Sequence, residues 1–224
     1  MKISYNKIVI VAPHPDDETI AMGATIKQLI NNKVKVSILI VSGHMPPLYS
    51  SEIYKTTKKE CEKVFKYFGI KDYEFLDIPA TKLNEVAVSD LNGKISKFIK
   101  SRNPDAVFLP FPDRHIDHRV IFDSGIVATR PNSKKSPKAV LLYETLSETH
   151  WNVPGVEANF SPDFFVRVDK EIKYKLKALS FYKSQINKNT PSRSIDAVEA
   201  LAKFRGSQNN CKYAEAFKVV RLIV

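Results

Sequence analysis

Runs of continuously apolar, largely β-branched residues constrain this chain more than any other feature. They include Ile8-Val9-Ile10-Val11, Val36-Ser37-Ile38-Leu39-Ile40-Val41, Ala106-Val107-Phe108-Leu109 and Ala139-Val140-Leu141-Leu142. A strand with one wet face alternates apolar and polar residues; these do not, so both of their faces must be buried. Between them lie helical patterns. One runs from about Thr19 to Asn31, and another from Ser51 to Phe68, closed by Gly69 as a C-cap. A third, Asp90 to Arg102, carries Leu91, Ile95, Phe98 and Ile99 on one face, and a fourth follows His118 to about Thr129. Read in full, the strands are Lys33–Ser42, Glu74–Ile78, Asp105–Phe111, Lys138–Tyr143, Phe164–Val168 and Phe217–Val220, after the opening run at Ile8. Helices over Ile172–Leu179 and from Ile195 through Ala202 complete the pattern. Alternation of this kind predicts an α/β fold, a Rossmann-like, mostly parallel sheet with helices on both faces. No linker, repeat or composition shift divides residues 1–224, so a single domain is expected.

The remaining bulk features exclude more than they assign. Cys61 and Cys211 lack metal-type spacing and read as reduced thiols of a cytoplasmic protein. The first residues, Met1 to Lys7, lead straight into a strand and leave no room for a signal peptide. No apolar run approaches the ~20 residues that span a bilayer. The formal charge of +11 raises the question of a nucleic-acid partner, but the lysines are dispersed. Their densest spots, Lys58-Lys59 and Lys134-Lys135, are only pairs, whereas interaction tails come as long like-charge blocks. No nucleic acid is therefore expected; a basic surface of this kind would steer an anionic substrate.

Chemistry concentrates at two strand ends. The first strand runs into Pro13-His14-Pro15-Asp16-Asp17-Glu18. Three consecutive acids beside an apolar strand cost desolvation energy unless paired, exposed or metal-bound. In an open α/β sheet this turn sits where ligands bind, outside the carboxyl ends of the strands. A dinucleotide fold would place a glycine-rich phosphate cradle here, yet the first glycine after this strand is Gly23, and carboxylates would repel phosphate. Divalent metal is favoured instead, and histidine with carboxylate suits Zn²⁺. A second cluster, His115-Ile116-Asp117-His118, follows the strand ending at Phe111. Its two histidines, spaced i and i+3 at a helix entry, project in similar directions. A lone buried histidine is most simply a core or capping residue; two such clusters at parallel strand ends are not explained that way.

These two motifs resemble the signatures of the LmbE/PIG-L family of zinc-dependent N-acetylglucosamine deacetylases. Lys183-Ser184-Gln185 and Tyr213-Ala214-Glu215-Ala216-Phe217 extend the likeness over nearly the whole chain. The resemblance implies a hydrolase that removes acetyl from an N-acetylated amino sugar, or its conjugate, with metal-activated water. It implies that His14, Asp17 and His118 hold zinc, that Asp16 is the general base, and that a protonated His115 stabilises charge at the carbonyl. Asp117 is then placed to orient His115 and keep it charged. Homo-oligomers such as trimers are compatible with the family.

The sequence also departs from the pattern. Ile116 replaces the usual proline, and Asp113 stands where some members have tyrosine, so no tyrosine role is assigned. Thr57 replaces an arginine found in many members, which leaves Arg114 or Lys58 as an alternative substrate contact. His44 reads as a pocket residue, and His150-Trp151, in the long stretch from Glu144 to Asp163, offer rings to stack on a sugar. Glu18 reads as a helix cap. The competing reading is a catalytically silent basic module that binds nucleic acid or an anionic surface. Retention of His14, Asp16, Asp17, His115 and His118 together argues against it.

Overall fold

Alternate residues of the first strand face opposite ways, and each set finds its own apolar layer. In the computed structural model, which describes residues 5–186 and 191–224, β1 spans Lys7–Ala12. Ile8, Ile10 and Ala12 pack with Met22, Ile26, Phe65, Phe68, Ala178 and Tyr182 on one face. Val9 and Val11 pack with Leu91, Ile95, Phe98, Ile99 and Ile121 on the other. The first layer is built by α1 (Asp17–Asn31), α2 (Ser51–Phe68) and α5 (Ile172–Leu179), the second by α3 (Val88–Arg102) and α4 (Ile116–Ala128). The last helix, α6 (Ile195–Ser207), lies over the first layer, where Val198 meets Ile20 and Leu179.

Seven strands form the sheet in the order β3-β2-β1-β4-β5-β7-β6. Strands β2 (Lys35–Gly43), β3 (Asp72–Pro79), β4 (Ala106–Pro110) and β5 (Ala139–Tyr143) join β1 in parallel pairing. The long β7 (Ala214–Leu222) returns antiparallel between β5 and the edge strand β6 (Phe164–Arg167). The expected Rossmann-like, mostly parallel sheet is therefore present, with an antiparallel pair at one side. Sheet order reverses between β1 and β4, which opens the crevice where such folds bind ligands. Both sequence clusters follow these two strands. Among the described residues, no helix is long and apolar enough to cross a membrane.

Element ends differ from the sequence reading where local backbone decides them. Lys33 adopts φ 62° in a turn, so β2 begins at Lys35. The predicted C-cap is present at Gly69, with φ 91°, a conformation that costs glycine little. The C-terminal strand is longer than its apolar run because Ala214, Glu215 and Ala216 are buried. Glu215 has a structural task there. Helix α1 is broken at Met22 (φ −138°), and the freed N–H groups of Ala24 and Thr25 donate to Glu215 at 3.1 and 2.6 Å. Lys175 Nζ, 2.6 Å from Glu215, balances the buried charge. The expected loop from Lys183 to Arg193 lies partly outside the described residues; its end, Pro191–Arg193, is a short 3-10 turn.

Candidate active site

The chain leaves β1 buried and turns at once, so the side chains of the turn stay inside the fold. His14, Asp16, Asp17 and Glu18 are all buried. Asp16 adopts φ 123° ahead of α1, a strained backbone for a residue with a side chain, of the kind that collects at functional sites. From β4, the chain passes Phe111 and enters α4 with His115 as N-cap, its Nδ1 accepting from the Asp117 N–H at 3.2 Å. His118 lies one turn into α4 and is fully buried. Strand adjacency thus brings His14 and the second cluster together: the His14 ring is 4.6 Å from that of His115 and 5.7 Å from that of His118.

Two donor sets overlap here. The three histidines can each offer a nitrogen within 4.8 Å of the others. Asp17 Oδ2 lies 3.0 Å from His14 Nδ1 and 3.4 Å from His118 Nε2. Donors about 2.0–2.2 Å from a tetrahedral zinc stand roughly 3.3–3.6 Å apart; the Asp17–His118 separation falls in that range, while the Asp17–His14 separation is that of a direct hydrogen bond. Buried His118 Nε2 and Asp17 Oδ1 have no hydrogen-bond partner among the described residues. Such atoms are costly unless a cation or another polar group meets them. By donor chemistry and by these unpartnered atoms, the residues fit a divalent metal.

The electrostatics point the same way. Burial opposes charge on His14, but Asp117 and Asp17 overcome it and raise its pKa to about 9. Burial likewise opposes charge on His118, and Asp17 with Asp113 lifts it to about 10. Burial works against ionisation of Asp17 too, yet His118 and His14 hold its carboxyl well below the usual range. Asp16 differs from its neighbour: burial and the Asp17 charge push it up to about 8. Among the described residues, neither Asp16 oxygen accepts a hydrogen bond. The pocket therefore attracts positive charge, and its two adjacent carboxyls differ sharply in how firmly they hold a proton.

The outer partners correct one expected pairing. Asp117 does not hold His115: its Oδ2 accepts from His14 Nε2 at 2.9 Å and from Thr81 N at 2.8 Å, and lies 3.9 Å from His115 Nδ1. Burial and the neighbouring His14 lower His115 to about 4. With Nδ1 accepting a backbone N–H, the neutral ring carries its proton on Nε2. His115 is thus a neutral donor here and not the protonated imidazole expected. Asp113, given no role in the sequence reading, is buried and takes His118 Nδ1 at 2.9 Å while accepting from Thr149 Oγ1 at 2.7 Å. Its spacing five residues before His118 was the available signal.

The other candidates divide. His44 stacks on His14 at 5.8 Å, and its buried Nδ1 has no partner among the described residues. Burial holds its pKa down at about 4. Trp151, 55% exposed, ends a short 3-10 turn at Glu148–Trp151 and offers a free face. Arg114 Nη1 pairs with Glu157 at 2.9 Å, and Lys58 pairs with Asp77 at 2.9 Å. Glu18 accepts from Thr19 Oγ1 at 2.6 Å and Tyr182 OH at 3.1 Å, so its oxygens are used within the fold. Arg193, which no sequence pattern marked, reaches the site from the turn before α6, with Nη1 3.8 Å from Asp16 Oδ2.

Comparison with known proteins gives a consistent picture. A family model described as "PIG-L: GlcNAc-PI de-N-acetylase" matches residues 9–129. Diacetylchitobiose deacetylase of Thermococcus kodakarensis is 25% identical over 96% of this chain and 83% of its own length. A probable N-acetyl-alpha-D-glucosaminyl L-malate deacetylase 2 of Bacillus cereus is 26% identical over 80% of this chain and 83% of its own. The solved structure of N,N'-diacetylchitobiose deacetylase from Pyrococcus horikoshii, complexed with its inhibitor, superposes with a TM-score of 0.78. It is 24% identical and covers 97% of this chain and 84% of that one, a likeness of fold.

Proposed function

The chain belongs to the PIG-L, or GlcNAc-PI de-N-acetylase, family, and from that premise we propose that it is a zinc-dependent hydrolase that removes acetyl from an N-acetylated amino sugar or its conjugate. The observation that carries this is the meeting of His14 Nδ1, Asp17 Oδ2 and His118 Nε2 beside an unpartnered Asp16 carboxylate. His14, Asp17 and His118 are the ligands we assign. Asp17 is preferred over His115 as the third because the His115 Nδ1 is already engaged with backbone. When bound, zinc supplies a Lewis acid that brings the pKa of a coordinated water near 7.

The chain's own groups supply the rest. Asp16 takes the proton of the attacking water and returns it to the departing amine, the two halves of general base and general acid catalysis. His115 donates from Nε2 to the acetyl carbonyl oxygen as negative charge builds there. Asp117 orients His14, and Asp113 orients His118, by holding the ring nitrogen that faces away from the ion. Trp151, His44 and Arg114 are assigned to the sugar: the indole by stacking, the other two by hydrogen bonds. The substrate class follows the relatives, whose names place them on N-acetylated sugars. We assign one domain over residues 1–224 and a cytoplasmic location, in keeping with free thiols at Cys61 and Cys211.

The test is acetate release from a panel containing N-acetylglucosamine, N,N'-diacetylchitobiose and glucosaminyl conjugates. Release is expected from at least one member, lost on chelation and restored by zinc. A zinc-loaded protein that frees no acetate from any of them would overturn the reading.

A further inference from the structure

Asp16 is buried on a strained backbone, and among the described residues neither of its oxygens has a hydrogen-bond partner, so an ion pair is what holds its carboxylate there. The Arg193 guanidinium is built for that purpose. Its Nε donates to Ser147 Oγ at 3.0 Å and its Nη2 to Glu148 Oε1 at 3.2 Å. Those two bonds orient the planar group and leave Nη1 directed at Asp16 Oδ2, 3.8 Å away. Ser147 itself has φ 81° and ψ −78°, a second strained backbone, so Arg193 bridges two positions that the fold holds out of their relaxed conformations.

We propose that Arg193 is a positioning residue of the hydrolysis, which holds the Asp16 carboxylate by charge while leaving its lone pairs open to a proton. This rests on the deacetylase reading above. The separation matters: a hydrogen bond would occupy the oxygen that has to accept the proton, whereas an ion pair at this distance does not. Arginine suits the task because its planar fork can be fixed on one edge and act from the other. It also never deprotonates, so it cannot compete with Asp16 as an acid. Glu148 and Ser147 in turn tie this control to the segment carrying Trp151, so that Asp16 and the sugar-facing side of the pocket are set by one side chain.

A double-mutant cycle tests the coupling without reference to activity. Arg193→Met is expected to lower the Tm of the chelated protein by about 2–4 °C in the wild-type background, and by clearly less in the Asp16→Asn background, where only the bonds to Ser147 and Glu148 are lost. Equal losses in both backgrounds would overturn the proposal. With zinc and a substrate that wild type hydrolyses, Arg193→Met is expected to keep its metal, lose about 10²-fold in kcat and hold KM. Arg193→Lys, which keeps the charge and the fold, is expected to recover part of the lost kcat. A rise in KM with kcat intact would make Arg193 a substrate contact and overturn the positioning role. If wild type frees no acetate from the panel, the deacetylase reading falls by itself, and the thermal cycle still decides whether Arg193 acts on Asp16.

Discussion

Asp16 and Asp17 are adjacent in sequence and opposite in electrostatic fate. Asp17 sits between two imidazoles that keep it ionised, while Asp16 is raised by burial and by Asp17 itself. One is suited to hold a cation, the other to exchange a proton. Asp16→Asn is therefore expected to lose about 10²–10⁴-fold in kcat with zinc content unchanged, and Asp17→Asn to lose zinc first, with activity partly restored by excess metal. Zinc content and kcat measured side by side check this; the reverse pattern would exchange the two roles. Asp113 acts one shell further out. Removing it with Asp113→Ala frees the His118 ring to turn, and metal affinity should fall about 10–100-fold, read by competition with a chromogenic chelator.

At the scale of elements, the site depends on how the segment after β5 is fastened. Glu144, at its start, is buried and bound on both oxygens by Arg205 of α6, at 2.8 and 2.6 Å. Burial works against the charge of Glu144, but His150 and Arg205 more than offset it and depress its pKa. Breaking a buried pair from one side leaves an uncompensated charge, so Arg205→Met should cost about 3–5 kcal/mol at neutral pH. The sign of the pH dependence follows. Because the folded pKa lies below the unfolded one, the pair's contribution is complete above the ordinary glutamate range and fades as pH falls through the depressed value. The gap in urea midpoint between wild type and Arg205→Met should accordingly be wide at pH 7 and narrow in acid. A gap that stays constant with pH would count against the ion pair as its source.

For the whole molecule, the dominant fact is a formal charge of +11 spread over the surface without a basic tract. Dispersed lysines produce a long-range field but no groove that follows a phosphate backbone. Duplex DNA is expected to bind weakly at low salt and to dissociate near physiological ionic strength, as fluorescence anisotropy over a salt series would show. Tight, salt-resistant binding would instead revive the reading of a nucleic-acid module. The same field should speed the encounter with an anionic sugar conjugate more than with a neutral one. kcat/KM for the charged substrate should therefore fall with added salt while that for the neutral one holds.

What the sequence determined by itself was whatever depends on short-range pattern. Continuous apolar runs named the inner strands, the spacing of Leu91, Ile95, Phe98 and Ile99 named a helix face, and two acid–histidine clusters named the ends of β1 and β4. Burial periodicity and turn chemistry act over a few residues, so they can be read directly. Partner choice could not be read in this way. That Asp117 holds His14 and not His115, that Asp113 holds His118, and that Arg193 arrives beside Asp16 from the turn before α6 all depend on sheet order and on where distant side chains point. Those choices fall to the tertiary structure because a buried charge takes whichever opposite charge the packing brings within a few ångströms, and no local pattern encodes which one that will be.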